Sequence, residues 1–383
     1  MNKHFSLAAV SLVFAVSLGA NDLAKARLVG NVETVIMEEF SLATRFGEWV
    51  KDSLKSKSTY AYDEKGNKTE WARYNADGSL ELKSTWAYNE KGNISEVDYY
   101  TADGSLSFKQ VYTFDEKGNM TDEAEYNVMG SLESNRIHIY DATGKLTQTA
   151  HRNVDGPLNL EATYAYDSKG NRTEAAWYNT DGSLDYKNTY DERGIQTEMV
   201  CYNADGSLKI KTIYAYDEKG NQTEWAANTA DGSLESKATH AYDTKGNLTE
   251  YAFYDATGSL KLKIIYAYDA KGNQTGFVRY NADGSRGFKT LYAYDEKGKQ
   301  IEMALYDADG SLQLKETRAY DAKGNRTEWV YFSAIGSLKS RGTLDYDASS
   351  NWTRQITSTE VTKSGKTYFE PSEITERTIT YYQ

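Results

Sequence analysis

Cysteine is nearly missing from this chain. Cys201 is the only one in 383 residues, which excludes an internal disulfide framework and any cysteine-ligated zinc site. Proline is almost as rare, at Pro157 and Pro371. That scarcity suits long strand ladders, because proline cannot donate a ladder hydrogen bond. Histidine occurs four times. His138, His151 and His240 all stand at repeat positions, so no Ser-His-Asp or Cys-His nucleophile can be assembled. Cations are outnumbered, 44 Lys and Arg against 56 Asp and Glu, giving a net charge of -12. A chain without a positive footprint is not built to bind a phosphate backbone, so nucleic acid is not an expected partner.

Long apolar runs are also absent, save one. Lys3 and His4 precede the run Phe5 to Ala20, which is shorter than the ~20 residues of a bilayer span. Residues 1–26 therefore read as a secretory signal peptide, with cleavage after Ala20 or Ala26. An uncleaved N-terminal anchor is the alternative. The reading implies an exported protein (periplasmic, surface-bound or secreted) with no membrane span once the signal is removed.

What the chain has in abundance is repetition. Gly66, Gly92, Gly118, Gly144, Gly170, Gly194, Gly220, Gly246, Gly272, Gly298 and Gly324 are spaced by 26 residues, with one step of 24 at Gly170 to Gly194. A second series, Gly78 to Gly336, lies 12 residues behind the first. A fixed period of this size marks an array of one supersecondary unit. The unit Tyr60–Thr85 holds two turn signals, Asp63-Glu-Lys-Gly66-Asn67 and Asn75-Ala-Asp-Gly78-Ser79. Both predict three-residue hairpin loops with glycine in the left-handed region. The alternating segments between them, rich in Tyr, Thr, Trp and Leu, predict strands. The fold class is all-β: a continuous antiparallel meander of two-strand repeats, roughly 22 to 24 strands in all.

The turns also predict a register. If Asp63 faces Asn67, Tyr60 lies opposite Glu70. If Asn75 faces Ser79, then Ala72 faces Leu82 and Trp71 faces Lys83. One face then carries Tyr60, Tyr62, Glu70, Ala72, Tyr74, Leu80, Leu82 and Trp86, and is expected to be the packed one. The other carries Thr69, Trp71, Arg73, Glu81, Lys83 and Thr85. Strand twist of ~20–25° per strand keeps such a sheet from staying flat. The expectation is a ribbon coiled into a spiral or superhelix, with the Tyr/Leu face inward. Residues 27–57 read as a degenerate capping unit, in which Ile36, Phe40, Ala43, Phe46 and Val50 also fit a helical stripe. Residues 58–351 hold the repeats, and 352–383 read as C-terminal capping strands.

The segment Tyr60-x-Tyr62-Asp63-x-x-Gly66-Asn67 resembles the YD repeat of the RHS family. It recurs at Tyr164, Tyr214, Tyr266 and Tyr292. The resemblance covers roughly residues 58–351 and implies β-hairpins wound into a spiral shell on exported or surface proteins, some labelled carbohydrate-binding. RHS proteins often carry a Pro- and Asp-rich segment before a variable toxin domain. Nothing like that segment is seen here, which argues against toxin delivery.

Little in the repeat points to chemistry. The turn aspartates (Asp63, Asp77, Asp103, Asp115) supply one or two carboxylates each, short of a calcium loop, and turn formation accounts for them. The series Glu70, Glu96, Glu174, Glu198, Glu224, Glu250, Glu302 and Glu328 offers no unique catalytic pair, and is expected to bond Tyr hydroxyls. No catalytic residue, metal or cofactor is expected. The binding candidates are aromatics at one repeated position with a cation opposite: Trp71 with Lys83, Trp225 with Lys237, Tyr251 with Lys263, Phe277 with Lys289, and Trp329 with Arg341. Structural packing is the competing role for them. The expected function is a non-enzymatic exported scaffold binding a protein or glycan partner at the cell envelope. The alternatives are a purely structural envelope protein or a polysaccharide-acting enzyme.

Overall fold

The computed structural model describes residues 22–383 apart from 154, 155 and 364. The expected signal segment up to Ala20 lies outside the described residues. A short helix, α1 (Asp22–Lys25), leads into β1 (Val32–Arg45), β2 (Glu48–Tyr62), β3 (Lys68–Tyr74) and β4 (Leu80–Tyr88). Strands β5 to β24 continue the meander from Ile94 to Tyr346, followed by β25 (Trp352–Lys363) and β26 (Lys366–Tyr381). The alternating segments thus become strands, and over 36–50 the helical stripe gives the β1–β2 hairpin, turning at 46–47, and not a helix.

All 26 strands join one antiparallel sheet. Its two ends meet: β1 pairs with β26 from Thr34↔Thr380 to Ser41↔Glu373. The sheet is therefore a closed barrel, and the expected open spiral or superhelical ribbon is wrong. An open ribbon leaves unpaired N–H and C=O groups along two edges. Here the two segments read as caps satisfy each other's edges. Pro371 sits at a register shift against Ser358, a place where a missing N–H does little harm.

The turns form as expected. The Asp63 N–H donates to the Asn67 carbonyl and the Gly66 N–H to the Asp63 carbonyl, both at 2.9 Å. Gly66 has φ 81. Asp63 Oδ1 accepts from the Lys65 and Asn67 N–H groups, so this carboxylate is engaged in shaping its own loop. The register beyond the turns departs from expectation by one residue. Tyr62 pairs with Lys68, but Ala61 pairs with Glu70, leaving Thr69 as an extra residue. Tyr74 pairs with Leu80, but Arg73 pairs with Leu82, leaving Glu81 extra. Tyr60 therefore faces Trp71, Ala72 faces Lys83, and Trp71 faces Ser84. Each such bulge bends and twists its strand, which helps a long sheet curve round to close.

The corrected register redistributes the faces. One carries Tyr60, Trp71, Arg73, Leu82, Ser84 and Trp86; the other carries Thr59, Ala61, Glu70, Ala72, Tyr74, Lys83 and Thr85. Handedness says which is inside. Following the paired residues round the barrel in chain order leads steadily down the strands, away from the Gly66-type turns. In a right-twisted barrel this places each next strand to the right, seen from outside with those turns uppermost. On an ascending strand, an L-residue whose backbone groups point right aims its side chain at the viewer. Asp63 bonds rightward to Asn67. So Ala61 and Thr59, two and four residues below it, face outward, and Tyr60 faces in. Desolvation agrees: burial pushes the Tyr99, Tyr112, Tyr164 and Tyr214 hydroxyls above the usual phenol range on the inner face. On the outer face Lys83, Lys109 and Lys187 are raised chiefly by their carboxylate partners.

The barrel is hollow. Strands about 4.8 Å apart give a ring roughly 40 Å across if untilted and about 50 Å at an ordinary tilt. The accessible surface is 22969 Å², against roughly 15,000 Å² for a compact protein of this mass. Among the described residues, one hydrophobic cluster lies at the seam: Leu23, Leu28, Val32, Val35 and Tyr62, with Tyr60, Ile379 and Tyr381 against them. Asn351, 2% exposed, ties that seam together. It accepts from the Val29 N–H at 2.7 Å and donates to the Val29 carbonyl and the Tyr381 hydroxyl.

Two turns test this account. Gly220 has φ 86, and a Cβ there would lie 3.4 Å from Ile195 Cδ1. Gly220→Val is expected to lower stability by about 1–2 kcal/mol or more. Ser350 holds φ 68 where the repeat has glycine, so Ser350→Gly is expected to add about 1 kcal/mol. Urea denaturation midpoints that fail to move in these opposite directions would contradict the turn assignment.

Candidate functional site: the inner wall

The repeated aromatics all face the lumen, and their expected cations do not. Trp71 pairs with Ser84, Trp225 with Ala238, Tyr251 with Ile264, Phe277 with Thr290 and Trp329 with Gly342. Lys83, Lys237, Lys263, Lys289 and Arg341 pair with the next residue along, on the outer face. The five aromatic–cation pairs are thus not formed, because the bulge moves each cation to the other side of the sheet. The five rings are half-buried.

The cations have other work. Lys83 bonds Glu70 at 2.7 Å, Lys237 bonds Glu224 at 2.6 Å, and Lys263 bonds Glu250 at 2.6 Å. Lys109–Glu96, Lys187–Glu174, Lys211–Glu198, Lys315–Glu302 and Arg341–Glu328 repeat the contact. The Glu series expected to bond Tyr hydroxyls forms instead a ladder of outer-face ion pairs. Exposed pairs contribute only ~0–1 kcal/mol each, so their main effect is a hydrated, charge-balanced exterior.

Inside, most of the rings find either a small partner or another ring. Tyr99 stacks on Phe108 with centroids 4.3 Å apart, and Trp177 on Tyr186 at 4.4 Å, each pair tilted by 12°. Trp225–Phe253, Tyr266–Phe277 and Trp329–Tyr331 meet at 5.2–6.0 Å. Opposite Trp329 the wall needs glycine, since a Cβ on Gly342 would lie 2.2 Å from the indole. The rings are held as a lining by the sheet, some against one neighbour and others, such as Phe277 between Tyr266 and Phe288, against two. This disposition suits stacking on a flat or ring-shaped guest.

Two sectors depart from this pattern. In one, Glu316 faces Met303 and accepts from the Arg318 guanidinium at 2.6 and 2.8 Å. The other is more extensive. Where other units place Trp71 or Trp225, this unit has Glu123, and where they place Ser84 or Ala238 it has Arg136. The Arg136 guanidinium donates to Glu123 at 3.2 Å and to both oxygens of Glu161 at 2.8 and 3.1 Å. Nearby, Gln110 accepts from the Tyr99 and Tyr112 hydroxyls at 3.3 and 3.0 Å and donates to Glu125 at 3.4 Å. Burial pushes the His138 imidazole below its usual range. This network was not singled out from the sequence. Its signal was departure from the repeat at inward positions, readable only once the faces are known. Elsewhere, Asp321, Asn325, Tyr346 and Asp347 help line one rim cleft of about 260 Å³, and Asp295, Lys299 and Tyr320 another of about 370 Å³. Burial raises the Cys201 thiol, which is an ordinary inner-face strand residue.

No family model and no curated protein matches this chain. Among solved structures it is similar to a TcdB2-TccC3-TEV chain, with 13% identity over 87% of this chain and 22% of that one, at a TM-score of 0.31. A Photorhabdus luminescens Tc holotoxin pore chain matches at 12% identity over 86% of this chain and 27% of that one, TM-score 0.20. A porin-like protein from Bacteroides uniformis matches at 11% identity over 92% and 99%, TM-score 0.18. This chain spans about a quarter of the toxin chains. At such identities and scores these likenesses carry no argument about this chain.

The ring-on-glycine contact gives a direct test of the lining. Gly342→Ala is expected to cost about 1–3 kcal/mol, the usual range for overpacking. In a Trp329→Ala background the same change should cost little. A double-mutant cycle in thermal unfolding that shows no coupling would place the indole elsewhere.

Proposed function

We infer that this protein is an exported, non-enzymatic barrel that works in aqueous surroundings and holds a glycan against its aromatic inner wall. The observation that carries the reading is the inward placement of Trp71, Trp225, Tyr251, Phe277 and Trp329 in a hollow barrel. Sugar rings present flat C–H faces that stack on such side chains, and a polymer can engage several of them at once. The exterior supports an aqueous setting. Among the described residues no helix is long and apolar enough to cross a membrane, which says nothing about strands. The outer strand faces are informative instead: their mid-strand positions carry the Glu–Lys ladder. A lysine or arginine facing lipid at the bilayer midplane costs about 2–4 kcal/mol, and this wall would present several. The inner wall is the more apolar of the two, opposite to the arrangement of a transmembrane barrel.

The N-terminus supports export with cleavage after Ala20. Asp22 accepts from the Lys68 N–H at 2.9 Å and from the Tyr88 hydroxyl at 3.0 Å, and Leu23 joins the seam cluster. Cleavage after Ala26 would remove both residues. The intact mass of protein recovered from the exported fraction is expected to correspond to a chain starting at Asn21. A chain starting at Arg27 would overturn this assignment.

Binding is tested by comparing two triple variants against a panel of soluble polysaccharides in affinity electrophoresis. Trp71→Ala with Trp225→Ala and Trp329→Ala should reduce retardation at least tenfold while the barrel remains folded by circular dichroism. The outer set, Lys83→Ala with Lys237→Ala and Lys263→Ala, should leave it unchanged. The opposite ranking would place binding on the outer wall and overturn the reading, and no retardation by any polysaccharide leaves a purely structural role.

A further inference from the structure

We propose that the rim formed by the Gly78-type turns docks on a lipid bilayer surface, with its apolar tips among the headgroups and the barrel wall in water. The two ends of the barrel differ. At the Gly66-type end the loop tips are charged, as in Glu64-Lys65, Glu90-Lys91 and Glu218-Lys219. At the Gly78-type end the first tip residue is alanine or valine in most units. Val128-Met129 and Ala334-Ile335 stand there where the repeat has Ala76-Asp77. Among the described residues, the large apolar side chains more than half exposed are Phe46, Val128, Met129, Leu158 and Ile335 at this end, and Val29 alone at the other.

The fold does not ask for these residues. The β1–β2 hairpin turns on Phe46-Gly47, with φ 55 and 85, between the paired Arg45 and Glu48. A two-residue turn with both φ positive favours Asn-Gly, because a bulkier side chain is strained in the left-handed region. Phe46 takes that strain with its side chain 107% exposed, so no packing within the chain offsets it. Strain without a folding benefit points to function. Met129 and Ile335, 84% and 89% exposed, replace the aspartate of the repeat. Their turns manage without it. The Asn127 side chain accepts from the Met129 and Ser131 N–H groups at 3.0 Å, and the Ser333 and Ser337 hydroxyls bond each other at 2.7 Å.

The placement of the tips selects the partner. β2 runs on past its last pair with β3, Lys57↔Tyr74, so its hairpin carries Phe46 and Trp49 beyond the rim. Met129 stands six strands from Phe46 round the ring, about 30 Å along the wall at the usual strand spacing. Each tip is convex and stands on its own hairpin. A pocket shaped for one would not reach the next, whereas a bilayer meets them all at once. Above the tips the outer face repeats a tyrosine paired with a leucine: Tyr74 with Leu80, Tyr100 with Leu106, Tyr202 with Leu208. Tyrosine, with its apolar ring and polar end, favours the level of lipid headgroups. The same rim carries carboxylates at Asp77, Asp103, Asp205 and Asp283. The lipid that fits is therefore zwitterionic, and anionic headgroups are repelled.

The test is flotation of the full mature protein with phosphatidylcholine vesicles. The parent protein is expected to float with them, and less so when half the lipid is phosphatidylglycerol. Phe46→Asn combined with Met129→Asp and Ile335→Asp gives each turn a residue it favours. This variant should partition at least tenfold more weakly while its melting temperature holds or rises, which separates lost binding from lost folding. Ile139→Ala, on the outer wall toward the opposite rim, should leave partition unchanged. No flotation of the parent, equal flotation of the triple variant, or stronger binding to the phosphatidylglycerol mixture overturns the inference. The first of these would leave the tips to a protein partner. The inner rings are intact in the triple variant, so the polysaccharide test of the inner wall is decided independently.

Discussion

One extra residue per hairpin governs this molecule. After each turn of the repeat the ladder skips a residue, Thr69 in one hairpin and Glu81 in the next, and everything downstream follows from that skip. It sets which side chains share a face, because strand side chains alternate and a slip of one inverts a strand. It adds local twist and bend at both ends of the repeat. The threonine of the bulge is tied back in several units: the Thr147 hydroxyl donates to the Ile139 carbonyl at 3.0 Å and that of Thr249 to the Ala241 carbonyl at 3.1 Å. The bulge is thus held by side-chain chemistry that the repeat preserves.

Closure is a separate matter, settled at the ends. An array of identical hairpins has no intrinsic stopping point. Here β1, β2, β25 and β26 run 14, 15, 12 and 16 residues, against seven to nine in the repeats, and two of them pair with each other. Lys55 bridges Glu373 and Glu39 at 2.8 and 3.6 Å, and Lys51 reaches Glu376, so both the backbone and the charges of the end strands are complementary. The apolar cluster and Asn351 fasten the same seam from the inside. With so little packing between non-neighbouring strands, the barrel depends on this seam in a way that a globular domain with a central core does not.

Much of this was legible in the sequence, and the limits were physical. Two turn types, strand existence and the 26-residue unit follow from Gly, Asp and Asn spacing, because those residues have local conformational preferences. The aromatic positions Trp71, Trp225 and Trp329 were also identifiable as a set. What they faced was not. Lys83 stands 12 residues from Trp71, and a regular ladder beyond the turn would pair them. The bulge that moves Lys83 to Ala72 depends on Glu81 lying outside the pairing, which no residue type there announces. Closure was illegible for a different reason. Thr34 and Thr380 lie 346 residues apart, and their complementarity is between two strands of ordinary composition. The Arg136 network shows a third limit. His138 could be seen as a variant of the repeat, but only the register of the neighbouring strands shows which carboxylates share its face.

The two walls can be understood together. A repeat that puts charge on one face and rings on the other would be expected to fold its rings against something. In a two-layer sandwich they would meet the rings of a second sheet and be lost to function. Closing 26 strands into a single ring keeps the walls too far apart for that. The rings are instead supported edgewise by small partners such as Ser84, Ala238 and Gly342, which gives half-burial without a filled core. The folded state therefore retains apolar surface on its concave side that could have been covered by packing. Water in contact with that surface is a standing free-energy cost. On the proposed reading, a guest that covers the rings would recover it.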